Sequence, residues 1–163
     1  MRLSLVALPA LLALGACATE PEPTAEADAL DTVTVAPAEG LVAEGAMVRA
    51  APAGGVSAAY MTLQNGDALP DTLVAARTDA AGRVEIHRTA EGPDGMSTMT
   101  PVEGGLAVPA GQTVTLEPGG LHVMLLDLQR DLADGDTLDL ELEFSSGATR
   151  AVRAPVRGIA GGQ

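Results

Sequence analysis

Two histidines and several methionines are the side chains of this sequence whose types and spacing could bind a metal. His122 and Met124 form a His-x-Met pattern in an apolar run, and side chains two residues apart on a β-strand project from the same face. His87 lies in a second alternating run, VEIHR, in which alternation directs its side chain outward. Met96 and Met99 follow in the polar segment GPDGMSTMTP, where a methionine has no packing role. We therefore expect a loop methionine, two strand histidines and a strand methionine to converge at one rim of the fold.

This set of donors is selective among metals. Thioether sulfur is soft and neutral, so together with imidazole it favours Cu(I) over hard cations and most divalent ions. Zinc prefers Cys, His or carboxylate ligands, which makes a methionine-rich set a poor zinc site. A blue-copper electron-transfer site needs a cysteine, and the one cysteine of the chain, Cys17, precedes the expected domain. The residue types alone also fit a second interpretation, in which the methionines fill gaps in the core and the histidines are solvated.

The composition excludes several classes of function. Nine basic residues, all arginine, stand against 22 acidic ones, and the formal net charge is −13, so we expect no nucleic-acid partner. Aromatic residues make up 1% of the chain, which nearly excludes stacking platforms for bases or sugars. Few groups remain for acid–base or nucleophilic chemistry, and Ser97 paired with a histidine would lack the Gly-x-Ser-x-Gly motif of a hydrolase. The sequence favours a binding protein over an enzyme.

The N-terminal segment has the features of an export signal. Residues 1–16 contain one positive charge and an apolar run that is too short to span a bilayer, as in a secretory signal peptide. The ending Leu-Gly-Ala-Cys resembles the bacterial lipobox, which predicts cleavage before Cys17 and its lipidation. Residues 17–40 are acidic and rich in Pro and Ala, which is typical of a flexible tether. We expect a lipoprotein on the periplasmic side of the bacterial envelope, held at the membrane by this anchor only, with the outer membrane favoured.

Past the tether, short alternating runs broken by Gly, Pro and Asp predict an all-β domain over residues 41–158, with residues 159–163 as a disordered tail. The clearest run is DTLDLELEF, in which Leu and Phe alternate with acids. Seven or eight such strands without an amphipathic helix favour an antiparallel β-sandwich or Greek-key barrel. The predicted strands are 47–51, 57–64, 72–77, 83–89, 113–117, 121–126, 136–144 and 149–156.

The run from VEIHRTAEGPDGMSTMTP to GGLHVMLLDL, with AAYMTLQN upstream, resembles the periplasmic copper chaperone family PCu(A)C. The resemblance covers about residues 41–157, essentially the whole domain. The family pattern is His, an optional Met, ten residues, Met, twenty-one residues and His-x-Met. The resemblance implies a cupredoxin-like antiparallel β-sandwich with Greek-key topology. It also implies a site that holds copper as Cu(I) and passes it on during cytochrome oxidase copper-site assembly, with His87, Met99, His122 and Met124 as ligands.

The sequence departs from that pattern in three places. Arg88 takes the position of the optional Met, the segment from Met99 to His122 is one residue longer, and the second loop methionine is Met96, three residues before Met99. None of these changes removes a core ligand, and Met96 is carried over as an auxiliary ligand. We expect a monomer that exchanges copper with a donor or acceptor protein. A metal-free binding module and a copper storage or resistance protein remain as alternatives.

Overall fold

Ten β-strands form the fold, and the described residues contain no helix. The computed structural model describes residues 40–92 and 95–158. The predicted signal peptide, the lipidation site at Cys17, the tether up to residue 39 and the tail 159–163 lie outside the described residues. No helix long and apolar enough to cross a membrane occurs in the described ranges. The strands are β1 (Leu41–Arg49), β2 (Ser57–Asn65), β3 (Asp71–Arg77), β4 (Ala81–Glu91), β5 (Ser97–Pro101), β6 (Leu106–Val108), β7 (Thr113–Leu116), β8 (Leu121–Leu128), β9 (Thr137–Phe144) and β10 (Thr149–Arg157).

The strands hydrogen-bond in the order β5-β4-β8-β2-β1-β10-β9-β3-β6, and β7 pairs with β2 off this path. The strands from β5 to β1, with β7, form one half of the fold, and β10, β9, β3 and β6 form the other. A short parallel pairing of β1 with β10 at Val48↔Val156 joins the halves, and the other strand pairs of the described region are antiparallel. The predicted all-β sandwich is confirmed, with this parallel pair as a departure from the antiparallel pattern.

Both halves supply side chains to one aliphatic core. Strand β9 shows the predicted alternation. Its acidic side chains are exposed or partly exposed, and its apolar side chains are at most 2% exposed: Leu138, Leu140, Leu142 and Phe144. Burying a leucine of this kind stabilises a fold by about 1.5–3 kcal/mol relative to leaving it in water. The core includes Ile86 of β4 and Val123 of β8, which directly adjoin His87 and His122 in the chain.

The structure corrects three predictions about strands. The segment around Met99 was expected to be a loop, but Ser97–Pro101 forms β5, an edge strand whose five residues are all exposed. Since neither of its faces is buried, β5 has no alternating apolar pattern that would reveal it. Strand β6 was missed because it is only three residues long, and β1 begins at Leu41, six residues before the predicted start.

Candidate metal site

The residues predicted to bind metal lie on the adjacent strands β5, β4 and β8. The antiparallel registers pair Met99 with Thr89, His87 with His122, and Met124 with Glu85. Directly paired residues share a face of the sheet, and so do residues two apart on one strand. The two histidines and the two methionines therefore project from one face of this half of the sandwich.

The two imidazole rings are close enough to share one ion. The ring centroids of His87 and His122 are 6.0 Å apart, and the ring planes are tilted by 49°. An ion ~2 Å from a ring nitrogen lies ~3 Å from that ring's centroid, so two rings that share it have centroids up to about 6 Å apart. The observed separation is at this limit and requires the ion to lie between the rings.

His87 is buried, contrary to the prediction that its side chain faces outward. It is 8% exposed and His122 is 4% exposed, and the ring of Tyr60 lies beside His122 with centroids 6.5 Å apart. Alternation along a strand assigns side chains to two faces of the sheet. It does not show whether side chains of the neighbouring strands cover the face that is turned away from the core. The signal for Tyr60 in the sequence is that it is one of two aromatic residues in the chain.

Each histidine has one ring nitrogen in a hydrogen bond. Nδ1 of His122 is 3.2 Å from the carbonyl oxygen of Gly120, and Nε2 of His87 is 2.8 Å from Oε2 of Glu85. The other nitrogen of His87, Nδ1, is buried and has no hydrogen-bond partner within residues 40–92 and 95–158. Leaving such a group unpaired costs about 1–3 kcal/mol, so it needs an explanation, and a ligand that is absent from the protein chain supplies one.

A groove of about 490 Å³ opens onto this face. Its lining includes Met99, His122 and Met124, together with Tyr60 and Arg49. Met99 is 56% exposed, so this side of the candidate site is open to solvent. Sequence reasoning did not find Arg49, whose Nη2 donates to the carbonyl oxygen of Val56 at 3.5 Å. His87 is not among the residues that line this groove, and its ring lies behind that lining as the neighbour of the His122 ring, at 6.0 Å between centroids.

A family described as "Putative lipoprotein LpqE-like" matches residues 41–156. The chain belongs to this LpqE-like family. It is 35% identical over 124 residues to "Putative lipoprotein Lxx21020" of Leifsonia xyli, and the match covers 76% of this chain and 74% of that protein. It is 31% identical over 100 residues to the uncharacterized protein RP573 of Rickettsia prowazekii, of which the match covers 55%.

Several solved structures are also similar to this LpqE-like chain. The apo form of DR1885 from Deinococcus radiodurans matches at 33% identity and a TM-score of 0.55, over 94% of this chain and 100% of that one. The CuI form of DR1885 matches at 37% identity and a TM-score of 0.60, over 78% and 83%. The apo PCuAC domain from PmoF1 matches at 28% identity and a TM-score of 0.60, over 73% and 94%. These likenesses confirm the cupredoxin-like fold class and the predicted membership of the PCu(A)C family.

The donors of this LpqE-like domain fit a soft monovalent ion better than a hard or borderline divalent one. No group of three or more His, Cys, Asp or Glu side chains able to hold a metal occurs among the described residues. Two imidazoles with two thioethers would form a donor set that suits Cu(I). Met96, predicted as an auxiliary ligand, lies just before β5 and is 66% exposed.

Proposed function

We propose that this LpqE-like protein is an exported, lipid-anchored copper chaperone. In this proposal it binds one Cu(I) through His87, Met99, His122 and Met124, and passes the ion to a protein acceptor during assembly of the copper sites of cytochrome c oxidase. The ion is cargo and no substrate is transformed, so the protein is not an enzyme. The match to the CuI form of DR1885 supports the choice of metal.

The observation that carries the proposal is the arrangement of the two histidines. Their rings are paired across β4 and β8 at 6.0 Å, and Nδ1 of His87 is buried without a partner in the described structure. A histidine with a purely structural role would have both ring nitrogens paired or solvated. The thioethers of Met99 and Met124 project from the same face, which completes a set of four soft or intermediate donors.

The difference in burial between the ligands suggests how the ion is released. The histidines are less than a tenth exposed, whereas Met99 is on an edge strand and is more than half exposed. An acceptor can therefore approach the ion from the Met99 side and replace the neutral thioether with one of its own ligands. Ligand exchange of this kind avoids free copper at every step. A storage protein would instead gain from enclosing the ion, so the open groove favours delivery.

The proposed location rests on the N-terminal sequence. Residues 1–16 and Cys17 have the pattern of a lipoprotein signal, and a relative in Leifsonia xyli is named as a lipoprotein. Several acyl chains at Cys17 would anchor the domain firmly, because each buried methylene contributes about 0.8 kcal/mol to the free energy of membrane binding. The acidic tether would then let the domain move between a copper donor and an acceptor on the periplasmic side of the membrane.

An anaerobic Cu(I) competition assay against a chromogenic chelator tests this proposal. The chain from residue 17 is used with Cys17→Ser, so that the thiol does not bind the metal. We expect one tight equivalent, which His122→Ala and Met124→Leu weaken strongly. Met61→Leu is the matched control, because it removes a thioether that is buried in the core, on the face of β2 opposite to that of Tyr60. The absence of tight binding in the parent chain would refute the chaperone proposal.

A further inference from the structure

The carboxylate of Glu85 connects the candidate site to an arginine on the same strand. Its Oε2 is 2.8 Å from Nε2 of His87, and its Oε1 forms an ion pair with Nε of Arg83 at 3.1 Å. Glu85 is paired with Met124 across β4 and β8, and it therefore lies on the same face as the proposed ligands. Both of its oxygens are engaged, which makes it poorly suited to bind a soft ion directly.

The contact with Glu85 decides which nitrogen of His87 carries the proton. An ionised carboxylate only accepts hydrogen bonds, so Nε2 of the neutral ring is the protonated donor and Nδ1 keeps its lone pair. Nδ1 is the ring atom that is buried without a hydrogen-bond partner in the described part of the chain. We propose that Glu85 is a positioning residue that fixes His87 in the tautomer whose Nδ1 binds Cu(I). This inference rests on the proposed function.

His122 has the opposite arrangement. Its Nδ1 donates to the carbonyl oxygen of Gly120 at 3.2 Å, so its lone pair is on Nε2. The orienting acceptor lies two residues before the histidine in both cases, but one is a side chain and the other a backbone carbonyl. The two histidines therefore bind the ion through different nitrogens, His87 through Nδ1 and His122 through Nε2. Substituting the side chain of the orienting acceptor can therefore change the orientation of His87 but not that of His122.

Substitution of Glu85 has graded expected effects. Residues that orient a metal-binding histidine typically contribute about 10–100-fold to metal affinity. Glu85→Ala leaves Nε2 without its acceptor, so we expect Cu(I) affinity to fall within this range. Glu85→Gln keeps a carbonyl oxygen that can accept from Nε2–H, and we expect it to recover most of the lost affinity. Glu143→Gln is the matched control, because Glu143 pairs with Arg77 at 2.9 Å between β9 and β3, in the other half of the sandwich.

The test combines Cu(I) competition with ¹⁵N NMR of the histidine rings, on the chain from residue 17 with Cys17→Ser. In the metal-free protein we expect the Nε2–H tautomer for His87 and the Nδ1–H tautomer for His122. On addition of Cu(I), we expect Nδ1 of His87 and Nε2 of His122 to shift. Glu85→Ala should lose the single tautomer of His87, Glu85→Gln should restore it, and Glu143→Gln should leave both rings unchanged.

Three results would overturn the inference in distinguishable ways. Cu(I) binding through Nε2 of His87, or unchanged affinity and ring signals in folded Glu85→Ala, would refute the role of Glu85 alone. A failure of the parent chain to bind Cu(I) would refute the proposed function and this inference with it. If Glu85→Ala does not fold, the tautomer of the parent chain and the affinity of Glu85→Gln still decide the question.

Discussion

Replacing His87 with leucine is expected to separate the stability of this domain from its ability to bind copper. The substitution conserves volume approximately and removes the unpaired Nδ1, whose burial costs about 1–3 kcal/mol. It also removes the bond to Glu85, which is worth about 1.5–3 kcal/mol for a charged acceptor, less where the acceptor stays hydrated. The side chain of Glu85 is 30% exposed and keeps its contact with Arg83, so the loss is at the low end.

The two contributions nearly cancel. We therefore expect the free energy of unfolding of metal-free His87→Leu to lie within about 1 kcal/mol of that of the parent chain. An ordinary core truncation nearby, such as Ile86→Ala on the opposite face of β4, is expected to cost about 2–4 kcal/mol. With free Cu(I) at about 100 times its dissociation constant, the parent chain should gain about 2.7 kcal/mol and His87→Leu should gain much less.

Urea denaturation of both chains under anaerobic conditions, with and without Cu(I), measures these differences. A metal-free His87→Leu chain that is less stable by more than 2 kcal/mol would show that His87 is a structural residue whose Nδ1 contributes to the fold. An equal gain from Cu(I) in both chains would show that His87 does not bind the metal. Either result would refute the reasoning from the unpaired nitrogen.

Three further predictions test separate parts of the structure. Met99→Leu should weaken Cu(I) binding more than Met96→Leu in the competition assay. A larger effect at Met96 would show that Met96 is the ligand and Met99 the auxiliary residue. Asn65→Ala should destabilise the fold by about 2–3 kcal/mol without changing Cu(I) affinity, because the buried amide donates to two carbonyl oxygens and accepts from the N–H of Asp67; unchanged urea stability would contradict this. Burial alone would raise the pKa of Asp71, but hydrogen bonds from Ser146, Ser145 and the backbone N–H of Thr72 outweigh it and lower the pKa to about 2. Since this folded-state pKa is below the unfolded one, the stabilisation is complete above about pH 4 and is lost as the pH falls toward 2. Asp71→Asn should therefore cost about 1 kcal/mol at pH 5 and less at pH 2.5, and a cost independent of pH would refute the assignment.

The fold was largely predictable because most of its strands have one buried face. Strand β9 is the best example, since its apolar side chains follow a strict period of two. Strand β5 has no buried face, and its position depends on backbone pairing with β4, which leaves no periodic signal in the sequence. The parallel contact between β1 and β10 depends on how the two halves pack, and no local pattern encodes it.

The sequence was sufficient to propose four donors for the candidate site, but not to predict their surroundings. Residue type and the His-x-Met spacing indicated the soft donors, and the family resemblance selected four of them. The burial of His87 and the contacts of its two ring nitrogens depend on side chains from neighbouring strands. Glu85 is one of many acids in an acidic chain, so nothing in the sequence alone distinguished it from a solvated residue.

X-ray absorption at the copper edge, on the chain from residue 17 with Cys17→Ser and one equivalent of Cu(I), tests the central claim most directly. The proposed site predicts two sulfur and two nitrogen scatterers around Cu(I), with one sulfur lost in Met99→Leu and one nitrogen lost in His87→Leu. A copper environment with only nitrogen and oxygen neighbours, or one that neither substitution changes, would contradict a site built from His87, Met99, His122 and Met124.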